Sequence, residues 1–172
     1  VASTRFMEYF PTSSGQPYYW FRYGPAFFLV LDGGEDKPDN DIEYCNLGLY
    51  DEYRTREAEW IADIVESAEW KAAPLHIVFC HIPPANGGWH ADQDIYDKFV
   101  PILNNAGVDV MLCGHLHRHD YRPKGSCEGI GFPIVVNDMQ TLMTVDADKS
   151  GKISIKIYDD RKAVSKEIEI RR

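Results

Sequence analysis

Two short apolar runs, each ending in histidine, constrain this chain more than any other feature. LHIVFC (residues 75–80) leads into His81, and VDVMLC (residues 108–113) leads into Gly114, His115, Leu116 and His117. Runs this short, built of β-branched and large side chains and closed by turn residues, read as buried strands. Pro83 and Pro84 stop the first run, because proline has no N–H to give a ladder, and Gly114 lets the second run turn. Between them, residues 94–105 place Ile95, Phe99, Ile102 and Leu103 on one helical face. Pro101 kinks or divides that helix, and Asn104, Asn105 and Gly107 end it. Strand, helix, strand in this order is a βαβ unit, which requires parallel pairing and a right-handed crossover. Ligands of open α/β sheets gather beyond the carboxyl ends of the strands. The unit therefore delivers His81, His115 and His117 to one edge, with His115 and His117 on the same side if the backbone stays extended. Imidazoles so placed suit Zn, Fe, Mn and related ions.

The flanking sequence fits around this unit. Residues 1–17 read as a loop. Residues 18–31, aromatic and then apolar around Gly24 and Pro25, read as a hairpin whose second arm is buried and ends at Asp32. Residues 33–50, rich in Gly, Asp, Asn and Pro, form a long surface loop, a length that is uncommon unless functional or disordered. Residues 54–71 are the clearest helix. Trp60, Ile61, Ile64, Val65 and Ala68 face inward, Glu57, Glu59, Asp63 and Glu66 face outward, and Thr55 is the expected N-cap. His76, inside the first histidine strand and opposite in parity to His81, is structural. Beyond residue 122 the pattern changes to short strands at 133–137, 141–146, 152–158 and 162–172, expected to be antiparallel with one wet face.

Composition excludes several classes. With 172 residues, 44% hydrophobic and 13% aromatic, the chain is large and apolar enough to fold around a core. A net charge of −9 argues against binding a nucleic-acid backbone, but not against a small phosphate ester held locally. No apolar run approaches the length of a membrane span, and residues 1–20 lack the regions of a signal peptide. The first residues, VASTRFMEYF, are compatible with a mature terminus or with a cut inside a longer protein. Cys80 and Cys113 read as small core residues, while Cys45 and Cys127 fall in loops and could pair in an exported protein.

HIVFCHIPP followed by VDVMLCGHLHRHDY resembles the calcineurin-like metallophosphoesterases, especially their purple-acid-phosphatase-like branch. YYWFRYGPAFFLVLD resembles that branch's aromatic hairpin, and the helix with Trp60 resembles the one before its first histidine strand. The similarity spans roughly residues 6–145. It implies a mixed α/β (α+β) fold: part of a two-sheet αββα sandwich with a parallel βαβ unit followed by antiparallel strands. It also implies two divalent or trivalent metal ions (Zn, Fe or Mn) at the upper edge, with His81 and His115 on one and His117 on the other. His90 resembles the family's phosphate-contacting histidine, which can protonate the leaving group. His119, placed where the branch often differs, could reach substrate or lie on the surface. The implied reaction is hydrolysis of a phosphate ester, in which the two cations polarise the phosphoryl group and a metal-bound hydroxide attacks in line.

The family's Asp-x-His, Gly-Asp and Asn-His motifs, which supply the bridging carboxylate, do not occur among the 172 residues. The expectation is therefore that residues 1–172 are one domain, the C-terminal half of a metallophosphoesterase. Alone it should hold at most one weakly bound ion and be weakly active or inactive. Two alternatives stand beside this: a non-catalytic binding or assembly module that keeps half of the fold, and a mononuclear zinc hydrolase using the three histidines. A half-fold should expose a sheet face and favour homo-oligomers. Specificity would lie in residues 33–50 and 85–93, with the substrate a small phosphate ester. Exported relatives would favour a periplasmic or envelope location for the parent.

Overall fold

The βαβ unit lies at the centre of the larger sheet. β3 (Leu75–Cys80) and β4 (Val110–Cys113) pair in parallel, with Ile77 opposite Val110 and Phe79 opposite Leu112. The computed structural model describes residues 6–12, 14–84 and 88–171. Parts of the loops expected at 1–17 and 85–93 lie outside the described residues. Within the first of these, Phe6–Tyr9 forms a helical turn, α1, where a loop was expected.

Six strands make the sheet. The aromatic hairpin forms as expected: β1 (Tyr19–Tyr23) pairs antiparallel with β2 (Ala26–Leu31), and β2 pairs parallel with β3. On the other side β4 pairs in parallel with β6 (Ile134–Val136), which carries β5 (Asp120–Arg122) as an antiparallel edge strand. The order is β1-β2-β3-β4-β6-β5. The expectation for residues 133–137 is corrected here. β6 is parallel and buried on both faces, which explains its unbroken apolar run. Below the unit, the Asp109 carboxylate accepts the His76 backbone N–H at 2.8 Å and the Asp109 N–H donates back to the His76 carbonyl. His76 itself is buried, stacks on Trp70 and contacts the carbonyls of Trp70 and Gly107, so it is structural.

Helices cover one face. Phe27, Leu29, Leu31, Val78, Cys80, Met111, Cys113, Ile134 and Val136 meet them in one core. Burying each large member contributes about 1.5–3 kcal/mol. α2 (Tyr50–Glu66) starts earlier than the sequence suggested. Its end is capped from a distance, the Asp39 carboxylate accepting the N–H groups of Tyr50 at 2.6 Å and Asp51 at 3.4 Å. Thr55 is no cap; it sits inside the helix and bonds back to the Asp51 carbonyl. At Ser67 the helix breaks, and the Ser67 hydroxyl caps α3 (Ala68–Lys71). The βαβ helix starts at His90 rather than Asp94, and Pro101 does divide it, into α4 (His90–Lys98) and α5 (Val100–Asn105).

The opposite face packs on a three-stranded antiparallel sheet, β7 (Leu142–Ala147), β8 (Lys152–Tyr158) and β9 (Val164–Arg171), through Ile153, Ile155 and Ile168. β8 alternates as expected, but in β9 Val164, expected inward with Ile168 and Ile170, is 49% exposed, where the pairing shifts register opposite Ile157 and Tyr158. Towards β1 this cover thins. Tyr19, Phe21, Phe28 and Phe79 form a ladder of rings with centroids 6.3, 4.7 and 6.2 Å apart in turn. Phe21 is 40% exposed and Tyr23 78%.

Candidate functional site

The parallel strands β2, β3 and β4 run out at one edge, and each is followed by a residue able to bind a proton or an ion: Asp32, His81 and His115. The His81 and His115 rings meet edge to face with centroids 5.4 Å apart. The Gly114 N–H donates to the His81 carbonyl at 3.0 Å. A Cβ on Gly114 would stand 3.1 Å from His81 Nδ1, so a larger residue here would push the imidazole aside by a few tenths of an ångström. His117 lies close enough to act electrostatically on His81. Partial burial holds the His81 imidazole below its ordinary range, with the charges of His115 and His117 adding to this and Asp32 opposing it.

The route by which His115 and His117 share the edge differs from the sequence argument. Neither is in extended backbone. Their φ angles are +68° and +52°, in the left-handed region, so strand parity does not apply. Such angles are uncommon for residues other than glycine, and histidine is among the side chains enriched there. A tight turn, with Leu116 N–H on the Gly114 carbonyl, replaces the strand.

His90 heads α4 and contacts Asp51 of α2, Nε2 to Oδ1 at 2.7 Å. His119 lies over the end of β6, beside Val136 and Lys166, with its Nδ1 buried and without a hydrogen-bond partner among the described residues. Burial, then the Lys166 charge, lower its proton affinity, against Val136, Asp120 and Asp138.

Carboxylates at this edge went largely unread in the sequence. Asp32 accepts the Tyr53 hydroxyl at 2.9 Å and the Gly34 N–H at 3.2 Å. Asp36 Oδ2 is 3.8 Å from His115 Nε2, and the Asp36 carbonyl accepts the Ala91 N–H. Asp92, in the first turn of α4, is buried. Burial raises its carboxyl, against the N–H groups of Gly88 and Trp89 and the charges of His115 and Arg122. Glu57, expected on the wet face of α2, is fully buried and accepts the Asp32 N–H at 2.8 Å. Asp32 left a signal by closing an apolar run as His81 does, and Glu57 left one by standing four and seven residues before Ile61 and Ile64 on the inner stripe of α2.

A two-metal centre does not fit these residues alone. Among the described residues, no three His, Cys, Asp or Glu side chains converge so as to hold a metal ion. Asp32 is engaged by Tyr53 and Gly34, and an imidazole set without a bridging carboxylate leaves the charge of two cations uncompensated. All four cysteines are free thiols, Cys80 and Cys113 in the core as expected. Among the described residues, no helix is long and apolar enough to cross a membrane.

Comparison with known proteins agrees with this architecture. A solved purple acid phosphatase from yellow lupin (Lupinus luteus) seeds is similar over 94% of this chain and 34% of its own, at 14% identity and a TM-score of 0.61. GAP50, the anchor in the inner membrane complex of Plasmodium, is similar over 90% of this chain and 53% of its own, at 13% identity and a TM-score of 0.54. The chain thus spans about a third of the one and about half of the other. No curated protein matches the sequence. The sequence pattern of the calcineurin-like phosphoesterases matches residues 3–119, and the chain belongs to that family.

Proposed function

We propose that this chain is the C-terminal half of a metal-dependent phosphoesterase domain. In this reading His81, His115 and His117 are imidazole ligands, and a segment preceding residue 1 carries the carboxylates they lack. His90 contacts the phosphoryl group and protonates the departing oxygen; His119 is assigned no part in the reaction. One observation carries the reading: strand ends adjacent in the sheet, but far apart in sequence, turn their histidines to one edge, at the cost of two left-handed residues. Unfavourable backbone of this kind clusters at functional sites. The aromatic ladder from Tyr19 to Phe79, two residues short of His81, is the seat of the preceding segment. Without that segment the chain self-associates through this face.

A second reading has a specific observation in its favour. No group of metal-binding side chains converges among the described residues, and the fold is shared with an anchor protein. In that case the chain is a non-catalytic assembly module. Metal analysis and a phosphatase assay on this chain and on the longer protein, side by side, separate the two. The phosphoesterase reading expects the longer protein to bind two ions and hydrolyse p-nitrophenyl phosphate, while this chain binds at most one ion and is inactive. A longer protein that is metal-free and inactive would overturn it in favour of the module.

A further inference from the structure

A buried polar group with many partners lies outside the three-histidine cluster. Arg54 of α2 is fully buried, and its guanidinium meets four acceptors. Nε donates to Asp94 Oδ2 at 2.6 Å, Nη2 to Asp51 Oδ1 at 2.6 Å, and Nη1 to the carbonyls of Gly33 and Glu35 at 3.0 and 3.2 Å. The rigid planar fork of arginine suits such a set, because one ordered group satisfies several directions at once. Lys98 supports it, donating to the Asp51 carbonyl at 2.6 Å and to Asp94 Oδ2 at 2.8 Å. Asp51 is thus held from two sides, and its Oδ1 also meets His90 Nε2 at 2.7 Å.

Burial works against the charge of Asp51, but the bonds from His90 and Arg54 outweigh it and hold its carboxyl below the ordinary range. An ionised carboxylate only accepts hydrogen bonds. The proton shared with His90 therefore sits on the imidazole Nε2, which leaves Nδ1 as the nitrogen that gains and gives a proton. The backbone at this point is also fixed, since the Ala91 N–H donates to the Asp36 carbonyl.

We infer that Asp51 is a positioning residue for His90, held in place by buried Arg54, and that it sets the ring's orientation and its Nε2–H tautomer. The inference rests on the reading of His90 as the proton donor. The step it shapes is simple. The Nδ1 proton passes to the oxygen of the breaking P–O bond, and the ring ends as the neutral Nε2–H form that Asp51 holds. The same division of labour, with a carboxylate on one ring nitrogen and proton transfer at the other, makes histidine effective in other hydrolases.

The tautomer can be read without activity. In this chain with nitrogen-15 histidine, long-range proton–nitrogen correlation at mildly alkaline pH should show a protonated Nε2 and an unprotonated Nδ1 on His90. Asp51→Ala should move both signals towards the average of a tautomer mixture, Asp51→Glu should restore them in part, and Asp97→Ala should leave them unchanged. A His90 pattern that Asp51→Ala does not alter, or a neutral ring in the unsubstituted chain with the proton on Nδ1 and none on Nε2, would overturn the inference. In the longer protein, Asp51→Ala should lower kcat on an alkyl phosphate by about 10-fold or more, with little change in KM and a smaller loss on p-nitrophenyl phosphate, whose leaving group needs no proton. Equal losses on both substrates would overturn the catalytic part. An inactive longer protein with the tautomer result intact would instead refute the proposed function and leave the positioning role standing.

Discussion

Glu57 should make this protein lose stability as pH rises, and the size of the effect follows from its place in the fold. Its side chain is fully buried beneath Asp32. One oxygen accepts the Asp32 N–H, and the other has no partner among the described residues. Burial pushes its carboxyl up from the ordinary 4.5 to about 9; the Asp32 N–H opposes this, the Asp32 charge adds to it, and Arg54 opposes it. Between those two values the unfolded chain has released the proton and the folded chain still holds it. The folded state then binds more protons, so its stability falls as pH rises. The contribution is complete below 4.5 and is lost on the way to about 9. Each pH unit in that window is worth about 1.4 kcal/mol, so about 4 kcal/mol disappears between about pH 5 and pH 8. That is a large share of the ~5–15 kcal/mol by which small domains are stable. Glu57→Gln keeps an oxygen for the Asp32 N–H and has no proton to lose. Urea denaturation should find the two proteins similar near pH 5 and the variant more stable by about 4 kcal/mol near pH 8, the other titrations being common to both. A difference that stays constant across this range would refute the reasoning, because it would mean that Glu57 ionises alike in the folded and unfolded chain.

Two further perturbations test other parts of the structure. Asp39→Ala removes the remote cap of α2 and should cost ~1 kcal/mol in urea denaturation, whereas Thr55→Ala, at the position the sequence favoured, should cost less; the reverse order would show that the helix starts later than Tyr50. On size-exclusion chromatography the isolated chain should elute as a dimer or larger, and Phe21→Ser with Tyr23→Ser should shift it towards the monomer. A clean monomer with little dye binding from the unsubstituted chain would remove the argument for an open ladder.

Much of this fold is written locally. The runs before His81 and His115, the prolines after the first and the glycine after the second were enough to specify two parallel strands with histidines at one edge. Pro101 was enough to divide the crossover helix, because a missing N–H acts wherever it stands. Ile153, Ile155 and Ile157 alternate because an antiparallel sheet with one wet face demands it. Distant partners decided the rest. Glu57 lies four and seven residues before Ile61 and Ile64, so the helical period itself puts it on the inner stripe; its charge argued for the wet face, and only the chain leaving β2, through the Asp32 N–H, shows what receives it there. Arg54, seven residues before Ile61, shares that stripe, and residues 33–35 and α4 supply the acceptors that let its charge stay buried. His115 and His117 reached the same edge through left-handed backbone, which no spacing rule anticipates. Periodicity describes a segment's own faces, whereas the fate of a charged side chain depends on what else packs there, and only the assembled fold determines that.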